Sequence, residues 1–304
     1  MTSIVNETKS STKYKDIYQT VTDTIIEQLE NGVIPWQQSW SESGYTPPLN
    51  LPSNQVTGNY YRGINIVLLW SAAIKNKFPT SEWASFKQWQ SKNEFVRKGE
   101  KGNLVVYYDT IEKEKDGEVE KIPFLKASYV FNRCQLSSYE QPKAEEQIFN
   151  PYLIEQINEV DTFLENTKAI IETHDGGACY KIQDDKILVP FPESFHPTAT
   201  CSATEGFYST VLHELVHWSG AKHRLDRTKG KKFGDQNYAV EELVAEFGAA
   251  FLCAGFGINT VEKGDHAGYI DHWLKVLKEN NRFLITAASE ASKATDYLRD
   301  LQPE

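Results

Sequence analysis

The chain has 304 residues, 40% of them hydrophobic and 12% aromatic; that composition supports one or two packed cores and excludes a largely disordered chain. No apolar run approaches the roughly 18–20 residues of a membrane span, and Thr2 to Lys15 lacks the apolar core of a signal peptide, so a cytoplasmic protein without membrane contact is expected. The net charge is −10, and its distribution is uneven. Residues 1–140 carry 16 basic and 16 acidic side chains, whereas residues 141–304 carry 16 and 26. Residues 48–108 are locally basic, with eight cations against Glu82, Glu94 and Glu100, which points to an anionic partner for that region alone. Cys134, Cys179, Cys201 and Cys253 are scattered without metal-ligand spacing and fit reduced structural thiols.

In chain order, Tyr14 to Asn31 reads as a helix with Ile17, Val21, Ile25 and Leu29 on one stripe and Gly32 as its stop. A loop with Pro35-Trp36 and Trp40 follows. Ile64 to Ile74 and Ser81 to Ser91 are expected as two further helices. Leu104 to Thr110 and Phe124 to Phe131 have strand composition and are joined by a hairpin around Asp116-Gly117. Trp36, Trp40, Tyr60, Tyr61, Trp70, Trp83, Phe86, Trp89, Phe95, Tyr107 and Tyr108 are interleaved with the cations of this half. Exposed rings beside a cationic groove suit an unpaired nucleic-acid strand, because bases stack on rings while Lys and Arg follow phosphates. The competing reading is that most of these rings are core.

The polar stretch Ser137 to Glu146 separates two apolar patterns. It sets a boundary: a first domain over 1–136, a linker over 137–147 and a second domain over 148–304. Within the second, Pro151 to Glu172 is expected as a helix. Tyr180–Ile182 and Lys186–Phe191 are expected as a hairpin across Asp184-Asp185. The capping-box pair Ser202 and Glu205 then opens a helix whose apolar positions are Phe207, Val211, Leu212, Leu215 and Val216, with Gly220 beyond its end.

That helix carries His213-Glu214-Leu215-Val216-His217. Residues four apart on a helix stand one above the other, so both imidazoles can reach one metal ion. Glu214 beside them could hold and deprotonate a metal-bound water. A catalytic zinc keeps three protein ligands and an open fourth position. The third is sought in the next helix, from Tyr238 to Leu252, where Glu242 and Glu246 share one flank. Two carboxylates beside a buried face need a positive partner. Glu242 is the favoured ligand, with Glu246 receiving the free ring N–H of a ligand histidine; Glu241 is expected to face solvent. The donor set favours Zn2+, with Mn2+ as the alternative. Tyr238 and His266, with His272 and His223, are the candidates for stabilising an oxyanion.

Around these residues the chain resembles the zincin-like peptidase domain of the ArdC-type antirestriction proteins, carried by plasmids and other mobile elements. The resemblance runs through Asp185 to Pro190, Phe207 to Arg227 with Arg224-Leu-Asp-Arg227, Tyr238 to Glu246, and Tyr269-Ile-Asp-His-Trp273. Glu242 and Glu246 match the Glu-x-x-x-acid pattern of thermolysin-type zincins. Earlier segments (Tyr18 to Trp40, Asn50, Tyr61 to Asn65, Trp83 to Gln88 and Val96 to Gly102) resemble the N-terminal domain of the same family, which is associated with single-stranded DNA. The resemblance implies an α+β chain: an N-terminal mixed α/β nucleic-acid-binding domain, then a zincin-like metallopeptidase domain. Arg62, Arg97, Lys98 and Lys101 are the expected phosphate contacts, since neighbouring glycines let the backbone approach.

Two functions of different class follow. In one, the protein shields incoming DNA from restriction by binding it single-stranded, and cleaves a protein substrate, with a host restriction component as the candidate. In the other, it is a DNA-binding module whose metal site only braces the fold. Glu214 favours the first, because a structural site has no use for a general base.

Overall fold

Asp16 opens the first helix by accepting the Tyr18 N–H at 3.0 Å, and α1 (Ile17–Glu30) buries Val21, Ile25 and Leu29. The computed structural model describes residues 16–37, 49–115, 118–140, 157–198, 201–227, 236–260 and 266–303; Trp40, Asp116-Gly117 and residues 141–147 of the expected linker lie outside them. After β1 (Ser53–Asn54) comes α2 (Ile64–Asn76). It starts at Gly63, where φ is +55°, and stops at the left-handed Lys77.

The helix expected over Ser81 to Ser91 is instead a strand and a short helix, β2 (Glu82–Ala84) and α3 (Phe86–Ser91). Trp83 and Ala84 pair with Asn132 and Phe131, a non-local ladder that overrides local helical spacing. Ser85 then restarts the chain as a helix through a capping box with Gln88. The expected strand pair is present and longer than its apolar cores, as β3 (Asn103–Lys115) and β4 (Glu118–Asn132) in antiparallel register with Leu104 opposite Tyr129. The sheet order is β1-β2-β4-β3. Leu69 of α2 packs on Trp83, Val105 and Val130 of this sheet.

In the second half, the helix expected over Pro151 to Glu172 is shorter. Helix α4 (Asn158–Thr167) ends at Lys168 with φ +60°, and the chain continues as β5 (Ile170–His174); residues 151–156 lie outside the described ones. Ile170 and Ile171 favour an extended backbone and pair in parallel with β7 (Lys186–Pro190). The expected hairpin is formed by β7 and β6 (Cys179–Lys181), which is the sheet's edge in the order β5-β7-β6. Four helices complete the fold: α5 (Ala203–Ser219), α6 (Gln236–Phe256), α7 (His266–Glu279) and α8 (Phe283–Asp300). No helix among the described residues is long and apolar enough to cross a membrane.

One continuous core joins the two halves. Buried residues of α1 and α2 share it with α5, α6, α7 and α8. Trp36 meets Phe247 edge-on at 4.9 Å between ring centroids, and Trp70 lies 5.8 Å from Phe251. Thr22 donates to the carbonyl of Asn281 at 2.9 Å, and Gly63 N–H to Ser292 Oγ at 2.8 Å. The first and second domains read from the sequence thus meet across a buried apolar face.

The helix pair that carries the site depends on one glycine. A Cβ on Gly248 of α6 would stand 2.7 Å from Val216 Cγ2 and 2.9 Å from its Cγ1. Val216 is fully buried on α5 and, being β-branched, strongly prefers a single rotamer in a helix and yields little. Gly248→Ala gains about 1 kcal/mol of helix propensity but overpacks a rigid contact at about 1–3 kcal/mol. We expect a net loss of up to about 2 kcal/mol in chemical denaturation, together with weaker metal binding as α6 is pushed off α5.

Candidate metal centre

Helix α5 starts on a buried capping box. Ser202 Oγ accepts Glu205 N–H at 3.2 Å, while Glu205 Oε2 accepts Ser202 N–H at 2.8 Å and its Oε1 accepts Asn259 N–H at 2.8 Å. Those bonds fix the helix register, and His213 and His217 follow one turn apart with ring centroids 4.9 Å from each other. Across from them, Tyr238, Glu242, Glu246 and Ala249 form one stripe of α6 at helical spacing, and all four line the same cleft.

His213 Nε2 lies 3.7 Å from Glu242 Oε2, and His217 Nε2 lies 3.5 Å from Glu242 Oε1. One ligand atom from each of the three residues falls within 4.8 Å of the others. A tetrahedral ion with bonds of about 2.0–2.1 Å separates its donors by roughly 3.3 Å, so these residues fit a divalent cation with little movement. Two imidazoles and a carboxylate are a donor set that suits zinc. Glu214 is buried and lines the cleft beside the three.

Each histidine has a carboxylate behind it. Glu246 Oε1 stands 3.8 Å from His213 Nδ1. Behind His217 stands Glu241, whose Oε1 is 3.0 Å from His217 Nδ1. This corrects the expectation that Glu241 faces solvent. Its side chain is 5% exposed, because Arg227 (4% exposed) folds back from the loop after α5 to meet it. Arg227 donates from Nε and Nη2 to the Glu241 carboxylate at 3.1 and 3.0 Å, and from Nη1 to Ser219 Oγ at 2.9 Å. Gly220 leaves the space, since a Cβ there would sit 2.6 Å from Arg227 Nη2. The signal for this pair was Arg227 itself, a cation placed close after an apolar helix. Burial raises the Glu241 pKa, but His217 and Arg227 outweigh it and hold the carboxyl below its ordinary value. Burial likewise opposes charge on His217, yet hydrogen bonds to Glu241 and Glu242 push its pKa up to about 9.

The oxyanion candidates separate by place. Tyr238 lines the cleft, and burial, followed by the nearby Glu242 and Glu214 charges, pushes its phenol up to about 12. His272 is half-buried and packs on Trp273 at 5.1 Å. His223 is exposed beside Arg224 and Asp185. His266 opens α7, and its side chain lies outside the described residues. The cleft holds about 490 Å³ and runs from the histidines to Cys179, Tyr180 and Ile182, at and just beyond edge strand β6. Sequence reasoning also missed Arg224, which anchors this hairpin. Its guanidinium stacks 3.7 Å over the Trp218 ring, donates to the Trp218 carbonyl at 2.7 Å and to Tyr180 Oη at 3.0 Å, and pairs with Asp185.

The N-terminal candidates lie on other elements. Arg62 is ion-paired with Asp296 of α8. Arg97 pairs with Glu100 at 2.7 Å and donates to the Leu136 carbonyl at 2.9 Å. Lys98 and Lys101 are exposed. Of the interleaved rings, Trp36, Trp70, Trp83 and Trp89 are core, whereas Tyr60, Phe86, Phe95, Tyr107 and Tyr108 are exposed. The structure adds exposed Tyr129.

Residues 158–290 match the zincin-like metallopeptidase family, and residues 15–131 match the N-terminal domain of anti-restriction factor ArdC. The uncharacterized protein y4eC of Sinorhizobium fredii is 32% identical over 95% of this chain and 93% of its own length. Two DNA primases TraC of Escherichia coli are each 32% identical over 93% of this chain, which spans only 20% and 27% of their lengths. The crystal structures of the antirestriction ArdC protein from plasmid R388, metal-free and Mn(II)-bound, superpose with TM-scores of 0.77 and 0.75 at 36% identity. They cover 94% of this chain and 97% and 98% of those chains.

Metal must displace the proton that Glu241 and Glu242 hold on His217, so apparent affinity is expected to rise about tenfold per pH unit up to about pH 9. With metal stripped, the raised pKa adds stability that is full below about 6.5 and lost as pH rises through about 9. Chelator competition and melting curves at several pH values check both signs. Glu241→Gln should weaken metal binding by about 10–100-fold.

Proposed function

The chain belongs to the family of ArdC-type antirestriction proteins, and from that premise we propose that it protects incoming mobile-element DNA from host restriction. Residues 1–136 bind single-stranded DNA without sequence preference, residues 137–147 link, and residues 148–304 are a metal-dependent peptidase acting in the cytoplasm. The observation that carries the peptidase reading is Glu214 beside His213, His217 and Glu242 in one open cleft. A site that only braced the fold would be closed by a fourth ligand and would have no use for a general base.

A divalent cation held there by His213, His217 and Glu242 would supply Lewis-acid polarisation of a carbonyl and acidify a water. Zinc suits the donor set, and manganese is the second choice, as in the Mn(II)-bound relative. Glu214 takes the proton of the attacking water and passes it to the leaving amine. Tyr238, protonated at neutral pH because its pKa is pushed up to about 12, donates its O–H to the developing oxyanion. Edge strand β6 offers its outer backbone to an extended peptide across the cleft. The substrate is a protein, with a component of the host restriction machinery as the candidate. His217→Ala is expected to abolish stoichiometric metal in elemental analysis. Glu214→Gln should keep the metal and lose peptide cleavage; cleavage surviving in that variant would return the site to a structural role.

For DNA, the rings left exposed matter. Phe86 packs edge-on against Phe131 at 6.2 Å, and Phe131 and Tyr129 border Gly102, where a Cβ would stand 2.9 Å from Tyr129 Cβ. Tyr129 is 59% exposed and Phe86 50%, and Lys101 adjoins this face directly in sequence. Rings for bases and cations for phosphates thus lie on or beside one face of the sheet. Arg62 and Arg97 contribute after exchanging their carboxylate partners for phosphate, so Lys98 and Lys101 should dominate. In titrations of the full chain, single strands are expected to bind more tightly than duplex. Lys98→Ala with Lys101→Ala should weaken binding for every sequence and flatten its salt dependence, by about 0.7 log units per decade of salt for each phosphate left without its cation. Tyr129→Ala should cost about 1–3 kcal/mol and leave that slope unchanged. Equal affinity for duplex and single strand would refute the assignment.

A further inference from the structure

The metal cleft continues past the three ligands towards the start of α5, and there the side chains that line it are small. Ser209 and Thr210 stand one turn before His213 on α5, and Ala249 one turn beyond Glu246 on α6, with Ala178 and Thr260 on the neighbouring segments. The contacts between the two helices run antiparallel: His217 meets Glu241 at 3.0 Å, and His213 lies 3.8 Å from Glu246. One turn further, the same register brings Ser209 opposite Ala249. Thr260 is held at this end because Glu205, one turn before Ser209, accepts the N–H of Asn259 at 2.8 Å. The Cys201 thiol donates to the Asn259 carbonyl at 3.9 Å. The capping box that starts α5 thus also seats the segment after α6 against the end of the cleft.

The walls of this recess are weakly polar. Ser209 Oγ and Thr210 Oγ1 both donate to the Gly206 carbonyl, at 3.3 and 2.8 Å, so their hydroxyl hydrogens are spent inside the helix. Ala178 and Ala249 add only methyl groups. The carboxylates along the cleft have tasks elsewhere: Glu241 meets Arg227 and His217, Glu246 stands behind His213, and Glu242 and Glu214 belong to the metal centre. Among the described residues that line the cleft there is no lysine or arginine. An acidic side chain entering the recess would meet like charges and no cation, and a basic one would lose its water without gaining a carboxylate of its own. A large uncharged side chain loses only its contact with water, which favours its burial. Small residues that served helix packing alone would be covered by their neighbours; these border open space.

We propose that this recess is the specificity pocket of the peptidase site: it takes a large uncharged side chain, aromatic or branched aliphatic, from the residue beside the bond that is cut, and Ser209, Thr210 and Ala249 set its depth. The inference rests on the metallopeptidase reading of His213, Glu214, His217 and Glu242. A helical turn advances about 5.4 Å, and an extended peptide about 3.3 Å per residue. A recess one turn from His213 is therefore within reach of the residue adjoining a carbonyl held at the metal. The cleft then selects substrates by side-chain size and neutrality, and a peptide with Asp or Glu at that position is refused.

The test is calorimetric binding, to the full chain loaded with Zn2+, of peptide-like hydroxamates that differ in one side chain beside the chelating group: methyl, isobutyl, benzyl, carboxyethyl and aminobutyl. The hydroxamate reports the metal site, and the side chain reports the recess. The isobutyl and benzyl compounds are expected to bind about 10–100-fold more tightly than the methyl compound, and the carboxyethyl compound more weakly than it. Thr210→Leu, which fills the recess, should bring the ratio of benzyl to methyl affinity down to about one. Equal affinity across the series, or tightest binding of a charged compound, would overturn the proposal, as would an unchanged ratio in folded Thr210→Leu. If that variant does not fold, the wild-type series decides alone. Wild-type protein that takes up no Zn2+, or that binds none of the hydroxamates once loaded, would defeat the metal-site reading itself. That result is distinct from a series that binds without regard to side chain.

Discussion

The contact of α5 with α6 at Val216 and Gly248 is the constraint from which the site follows. Two histidines on one helix could supply only two ligands and one edge of a cleft. A third would have to arrive from another helix at a distance set by backbone packing. With a hydrogen in place of a methyl group at Gly248, the helices approach until Val216 fills the gap, and Glu242 comes within 3.5–3.7 Å of both imidazoles. Side-chain flexibility corrects errors of tenths of an ångström; it does not correct a helix displaced by a methyl group.

That approach brings four carboxylates and two imidazoles together in a partly buried space, and the arrangement distributes their charge. Glu241 is neutralised by Arg227 on one side and takes the Nδ1 of His217 on the other. Glu246 stands behind His213, while Glu242 and Glu214 are left to the cleft. Removing Arg227 would leave a carboxylate buried without its cation, which typically costs about 3–5 kcal/mol. Arg224 performs a different task nearby, clamping edge strand β6 to the end of α5 through Trp218, Tyr180 and Asp185. The two arginines of Arg224-Leu-Asp-Arg227 thus hold the two walls of one cleft.

How much of this was legible depended on whether the deciding contact is local. His213, Glu214 and His217 lie on a single helical turn and share a capped helix, so their convergence follows from spacing alone. Glu241 lies next to Glu242, yet Glu242 faces Nε2 of both imidazoles while Glu241 meets only Nδ1 of His217. Which meets which depends on the rotation of α6 about its axis, and a helix buried nearly all round carries no apolar stripe to reveal that rotation. The same limit explains Trp83 and Ala84, where pairing with Phe131 and Asn132 prevails over helical spacing. Lys168 ended its helix by a left-handed backbone that no proline or glycine announced. Among the aromatic residues, composition could not separate Trp83, which is core, from Phe86, which is exposed.

The shared core has a consequence for how such genes travel. A recombination breakpoint between the two halves would strand Trp36 and Trp70 without Phe247 and Phe251, leaving each piece with a bare apolar face that favours aggregation over function. Selection should then pass the pair on as one cassette. The TraC primases carry a match to 93% of this chain within a fifth to about a quarter of their own lengths, as expected of a module inserted whole.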